Sequence, residues 1–67
     1  MSTYKERALS ERIYLDIKLM SLINFIASSD FSKLESEDQD LITLQLRLMH
    51  EYSECLSKRI TRFYRYN

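Results

Sequence analysis

The chain has 67 residues, of which 45% are hydrophobic, and ten basic and ten acidic residues give a formal net charge of zero. A domain of this size buries only about 60% of its unfolded surface and is marginally stable alone. Cys55 and His50 are the single cysteine and histidine, which excludes an internal disulfide and a structural zinc site with four such ligands. Self-association is the remaining means of stabilisation, so we expect a homo-oligomer, at least a dimer.

Glycine and proline are both absent from the sequence. Tight hairpins, phosphate-binding loops and parallel sheets use glycine where φ must be positive, whereas long helices need neither residue. No run approaches the ~18–20 apolar residues of a membrane span, and the charged segment 1–12 lacks the apolar core of a signal peptide. We therefore expect an all-α protein with a single domain, residues 1–67, in the cytoplasm and without membrane contact.

A first helix is predicted over about residues 3–28. Its apolar residues step by four, three and four, with others beside them: Leu15, Leu19, Leu22 and Ile26, then Ile13, Ile17, Met20 and Ala27. This apolar face is broader than a single partner helix needs, which indicates burial on two sides. Ser28, Ser29 and Asp30 favour caps and turns, so we expect the helix to end there.

A turn is predicted over residues 29–36, with one short helical turn around Phe31 and Leu34. Ser36 is predicted as the N-cap of a second helix over about 37–64, with Gln39 completing a capping box. The apolar face of this helix has a heptad-like row and flanking residues: Ile42, Leu46, Met49, Leu56, Ile60 and Phe63, then Leu41, Leu48, Tyr52 and Cys55. Two long helices with a short connection should form an antiparallel hairpin, which assembles into a homo-oligomeric helical bundle.

The charges separate towards the two ends of this predicted hairpin. Its closed end carries an excess of carboxylates, which we call the acidic tip: Asp30, Glu35, Glu37, Asp38 and Asp40. The open end, where the termini meet, is basic and aromatic. Arginine suits phosphate and aromatic rings stack on bases, which gives these candidate ligand-binding residues: Tyr4, Arg7, Arg12, Tyr14, Arg59, Arg62 and Tyr64. The alternative interpretation is a solvated helix end, whose cations complement the helix dipole.

No residue pattern indicates catalysis. His50 and Glu54 are four residues apart on one helix face, where a surface pair is the expected contact. Cys55 is expected to be a small core residue. The Glu-x-x-His spacing of carboxylate-bridged metal sites is absent. We expect a protein that is not an enzyme and needs no metal or cofactor.

The polar and apolar positions of both helices form one longer pattern, comprising Lys18, Leu19, Phe25, Ile26, Ser29, Phe31, Leu34, Asp38, Gln39, Leu41, Gln45, Met49, Tyr52, Leu56, Arg59 and Ile60. Over residues 5–61 this pattern resembles a group of short proteins encoded by tailed bacteriophages, mostly of unassigned function. The resemblance implies a phage accessory protein that works in the host bacterial cytoplasm, where it antagonises host defence or redirects host machinery. By analogy, some small helical phage proteins of the sponge type bind cyclic nucleotide immune signals.

Three functional hypotheses follow. In the first, an oligomer binds a cyclic nucleotide or another small anionic ligand at its basic, aromatic ends. In the second, an exposed apolar face or the acidic tip docks on a host protein and inhibits it. In the third, the basic end binds DNA or RNA, although zero net charge and the lack of a helix-turn-helix spacing disfavour this.

Overall fold

The computed structural model describes residues 3–65, which form three helices: α1 (Tyr4–Ile26), α2 (Ser29–Ser32) and α3 (Ser36–Arg65). The two long helices are antiparallel, since Tyr4 at the start of α1 meets Phe63 near the end of α3, and Asp16 further along α1 meets Ser53 earlier in α3. The molecule measures 49 × 19 × 16 Å. The all-α helical hairpin predicted from the sequence is confirmed. Within residues 3–65, no helix is long and apolar enough to cross a membrane.

Thr3 fixes the start of α1 as its N-cap. Its side chain accepts a hydrogen bond of 3.1 Å from the backbone N–H of Glu6, while the Glu6 carboxylate accepts one of 3.4 Å from the N–H of Thr3. This reciprocal pair is a capping box, and it satisfies two backbone donors at the helix end. At the other end, Ala27 is the C-cap, and the hydroxyl of Ser28 caps the short helix α2 by accepting from Phe31 N–H.

The prediction that Ser36 and Gln39 form a capping box is wrong. Ser36 is the first residue of α3, and the backbone N–H of Gln39 bonds to the carbonyl of Glu35 at 3.0 Å. The side-chain amide of Gln39 instead donates to carbonyls of the segment between α1 and α3, residues 27–35, which we call the linker; the distances are 3.1 Å to Phe31 and 3.0 Å to Leu34. Gln39 therefore ties the linker to the first turn of α3.

The core between the helices is thin. Leu15, Leu19 and Leu56 form its buried cluster, and Leu56 is fully buried. Halfway along the hairpin the Ser53 hydroxyl donates to Asp16 Oδ1 at 3.0 Å. Ser53 interrupts the apolar row of α3 between Met49 and Leu56. The bond explains this polar residue, because the Asp16 carboxylate of α1 accepts from its hydroxyl.

Much of the apolar surface predicted to be buried on two sides remains exposed in the single chain. On α1, Ile13 and Ile17 are each 62% exposed. The prediction that Cys55 is a core residue is wrong, since Cys55 is exposed. A single partner helix covers only a narrow strip of α3, and Cys55 lies outside that strip.

Replacing Gln39 with alanine should destabilise the fold, because it removes the amide that joins the linker to α3. Each lost hydrogen bond contributes about 0.5–1.5 kcal/mol, so we expect a loss of roughly 1–2 kcal/mol in urea denaturation. Ser36→Ala is the matched control and should have little effect, because Ser36 is not the cap. An equal loss for both variants would contradict the assigned role of Gln39.

Replacing Leu56 with alanine should nearly abolish folding. Truncating a buried leucine costs about 2–5 kcal/mol, which is a large part of the stability of any small domain. Leu48→Ala, at a position that is 52% exposed, is the control. Circular dichroism melts should show a large loss for the first variant and a small one for the second; similar losses would contradict the assigned core.

Candidate functional site

The open end of the hairpin is formed where the start of α1 meets the end of α3. Tyr4, in the first turn of α1, meets Phe63 edge-on, with ring centroids 5.1 Å apart and an interplanar angle of 65°. Such an aromatic pair contributes about 0.5–1.5 kcal/mol beyond its buried area. Ala8 and Ile60, one turn further in on each helix, are buried, so the ring pair rests on a packed base.

Arg59 completes this group from one turn before Phe63. Its Cζ atom lies 5.0 Å from the centroid of the Tyr4 ring, and its side chain is half-buried. Stacking on a ring face consumes none of the five N–H donors of a guanidinium. The cation is therefore held in place by the ring while its hydrogen-bonding capacity remains available for a phosphate or carboxylate.

Three other predicted site residues lie on neighbouring turns of the same end. Arg7, Arg62 and Tyr64 are all exposed, and Tyr64 is 64% exposed. Arg62 is also one of the basic residues in the last turn of α3, where a cation complements the helix dipole. Five of the seven predicted residues therefore share the open end.

Arg12 and Tyr14 lie about two to three turns along α1 from Tyr4, and each has a different partner. Arg12 Nε lies 3.6 Å from Asp16 Oδ2, so its charge is partly balanced by the carboxylate that also accepts from Ser53. The Tyr14 ring has Lys18 Nζ 4.6 Å from its centroid. These two residues are not part of the Tyr4–Arg59 group.

Phe63 was missed as a site residue from the sequence. It follows Arg59 by four residues. Residues four apart are neighbours on a helix face, so this spacing was the available signal.

The remaining charged groups form no second site within residues 3–65. The carboxylates of the acidic tip are all exposed. His50 Nε2 lies 3.3 Å from Glu54 Oε1, and both side chains are more than 60% exposed. The predicted surface pair is confirmed. In the same range, no three His, Cys, Asp or Glu side chains are grouped so that they could hold a metal ion.

No curated protein and no solved structure matches the chain. A family model described as Sequestin matches residues 2–62, which is most of the sequence. Sequestin is a family of phage anti-defence proteins that sequester nucleotides, and the resemblance to short helical phage accessory proteins is thus confirmed. The chain belongs to the Sequestin family.

Proposed function

We propose that the chain sequesters a small anionic nucleotide signal at the basic, aromatic ends of a homo-oligomer. Two findings support this proposal. The chain belongs to a family of phage anti-defence proteins that sequester nucleotides. The second finding identifies the residues: the Arg59 guanidinium lies 5.0 Å from the centroid of the Tyr4 ring. A cation and a ring together match the two chemical parts of a nucleotide, its phosphate and its base.

The Arg59–Tyr4 contact does not compete with a phosphate, because stacking on the ring face leaves the N–H donors of the guanidinium available. An exposed cation–π pair is worth about 0.5–1 kcal/mol, and a hydrogen bond to a charged group adds about 1.5–3 kcal/mol. In this proposal Arg59 binds phosphate, and Tyr4, which is 57% exposed, presents its ring to the base.

The other candidate residues extend the proposed site around this pair. Arg7 and Arg62 would add phosphate contacts, and Tyr64 would add a second stacking surface. Arg12 and Tyr14 would contact only the distal part of a larger ligand, because they lie two to three turns away along α1.

Sequestration requires binding without chemical conversion. A site made of Arg and Tyr side chains supplies donors and stacking surfaces, and it supplies no general base near neutral pH. The proposal therefore assigns the chain no catalytic role. The protein would act in the bacterial host cytoplasm, where it would lower the free concentration of a defence signal.

Calorimetric titration with a panel of cyclic and linear nucleotides tests the proposal. Arg59→Ala with Arg62→Ala should weaken binding by more than about a hundredfold, because each phosphate contact contributes about 1.5–3 kcal/mol. Tyr4→Ala should weaken it by about 1–3 kcal/mol, the usual contribution of base stacking. Affinity should also fall as salt rises, since exposed charge contacts are screened.

Arg47→Ala is the matched control, because Arg47 is an exposed arginine of α3 that lies about three turns before Arg59. It should bind the nucleotide as the unmodified chain does. If no nucleotide binds, and a host protein is captured that Glu37→Lys with Asp40→Lys releases, the docking hypothesis replaces this proposal.

A further inference from the structure

The hairpin leaves a row of apolar side chains exposed along α1, which we call the α1 stripe. It comprises Ile13, Ile17, Met20 and Ile23, which are 62%, 62%, 59% and 45% exposed. The steps of four, three and three residues keep all four on one side of the helix, over about 15 Å. Monomeric proteins rarely leave such a continuous hydrocarbon surface in water.

A groove runs beside the α1 stripe, between α1 and α3. Its volume is about 480 Å³, and it is lined by Asp16, Leu19, Met20, Ile23, Leu46 and His50. The stripe supplies protruding apolar side chains and the groove supplies a concave apolar surface. One side of the hairpin therefore carries both parts of a self-complementary interface.

From these features we infer that the α1 stripe is the contact surface of a two-fold dimer in which the α1 helices of two copies pack antiparallel. This inference deepens the proposed homo-oligomer and rests on it. With the two-fold axis near Lys18, Ile13 of one copy faces Ile23 of the other, and Ile17 faces Met20. Every apolar residue of the stripe then meets another, which is the condition for an isologous interface.

Charge complementarity selects the antiparallel arrangement. Antiparallel packing places the basic open end of each copy beside the acidic tip of the other. Lys5 is five helical turns from Ile23 on the same side of α1, so it lies at the edge of this contact, while Glu6 beside it partly offsets its charge. A parallel dimer would instead place the two basic ends together, which costs energy because like charges repel.

The shape of the hairpin also favours side-by-side packing. A stable interface buries about 800 Å² on each partner. The sides of a molecule that measures 49 × 19 × 16 Å are long enough to supply such an area, and its ends are not.

Sedimentation of the full chain, without nucleotide, tests the surface. The unmodified chain should be a dimer at micromolar concentration, and Ile17→Glu should be a monomer, because a buried unpaired carboxylate is strongly unfavourable. Leu48→Glu is the matched control on the exposed apolar side of α3, and it should remain a dimer. A monomeric unmodified chain, or dissociation by Leu48→Glu, would overturn the inference.

Disulfide cross-linking tests the orientation, and it does not depend on how Ile17→Glu folds. The variants Ile13→Cys and Ile23→Cys, each with Cys55→Ser, should cross-link when mixed and oxidised. Neither should cross-link alone, because equivalent positions lie about 15 Å apart along the axis, ten residues at 1.5 Å each. Cross-linking of Ile13→Cys with itself would overturn the antiparallel arrangement. Nucleotide binding by a chain that fails these tests would leave the proposed ligand and its binding residues intact, whereas the proposed oligomer would have to be abandoned or rebuilt on another surface.

Discussion

The narrow contact between two helices limits everything else in this molecule. Each long helix buries one strip of side chains, and the buried core cluster consists of Leu15, Leu19 and Leu56. So small a core does little to prevent the two long helices from sliding along each other. Polar and aromatic contacts at three positions along the hairpin fix their register instead: Gln39 with the linker, Asp16 with Ser53, and Tyr4 with Phe63.

The candidate site depends on that register. Tyr4 and Arg59 are 55 residues apart in the sequence, and they meet only because the linker sets where α3 begins. A slip of one helical turn moves the helices by 5.4 Å, which is about the distance that now separates the guanidinium from the ring. The contacts at the closed end thus determine the geometry of the open end, almost the full length of the molecule away.

Helical periodicity and the lack of glycine and proline were sufficient to predict the hairpin. The error at Ser36 arose because the spacing from Ser36 to Gln39 fits a capping box, and sequence spacing cannot distinguish a local hydrogen bond from one across the linker. Cys55 was wrongly predicted to be buried because its heptad position borders the apolar row of α3. How wide a part of that row is buried depends on how many helices pack against it. The Arg12–Asp16 pair was predictable from its i, i+4 spacing; the Tyr4–Arg59 contact was not, because it depends on register.

Zero net charge does not prevent such a chain from attracting an anion. The hairpin is 49 Å long, and charges in physiological salt are screened over about 8 Å, so the acidic tip has little influence at the basic end of the same chain. A dimer partner could bring its acidic tip much closer. Helical periodicity would place the cations of α1 on different sides of the helix in that case. Lys5 lies on the same side as Ile23, five turns away, and would approach the partner's carboxylates. Arg7 lies on the same side as Phe25 and would remain available to a ligand beside Arg59.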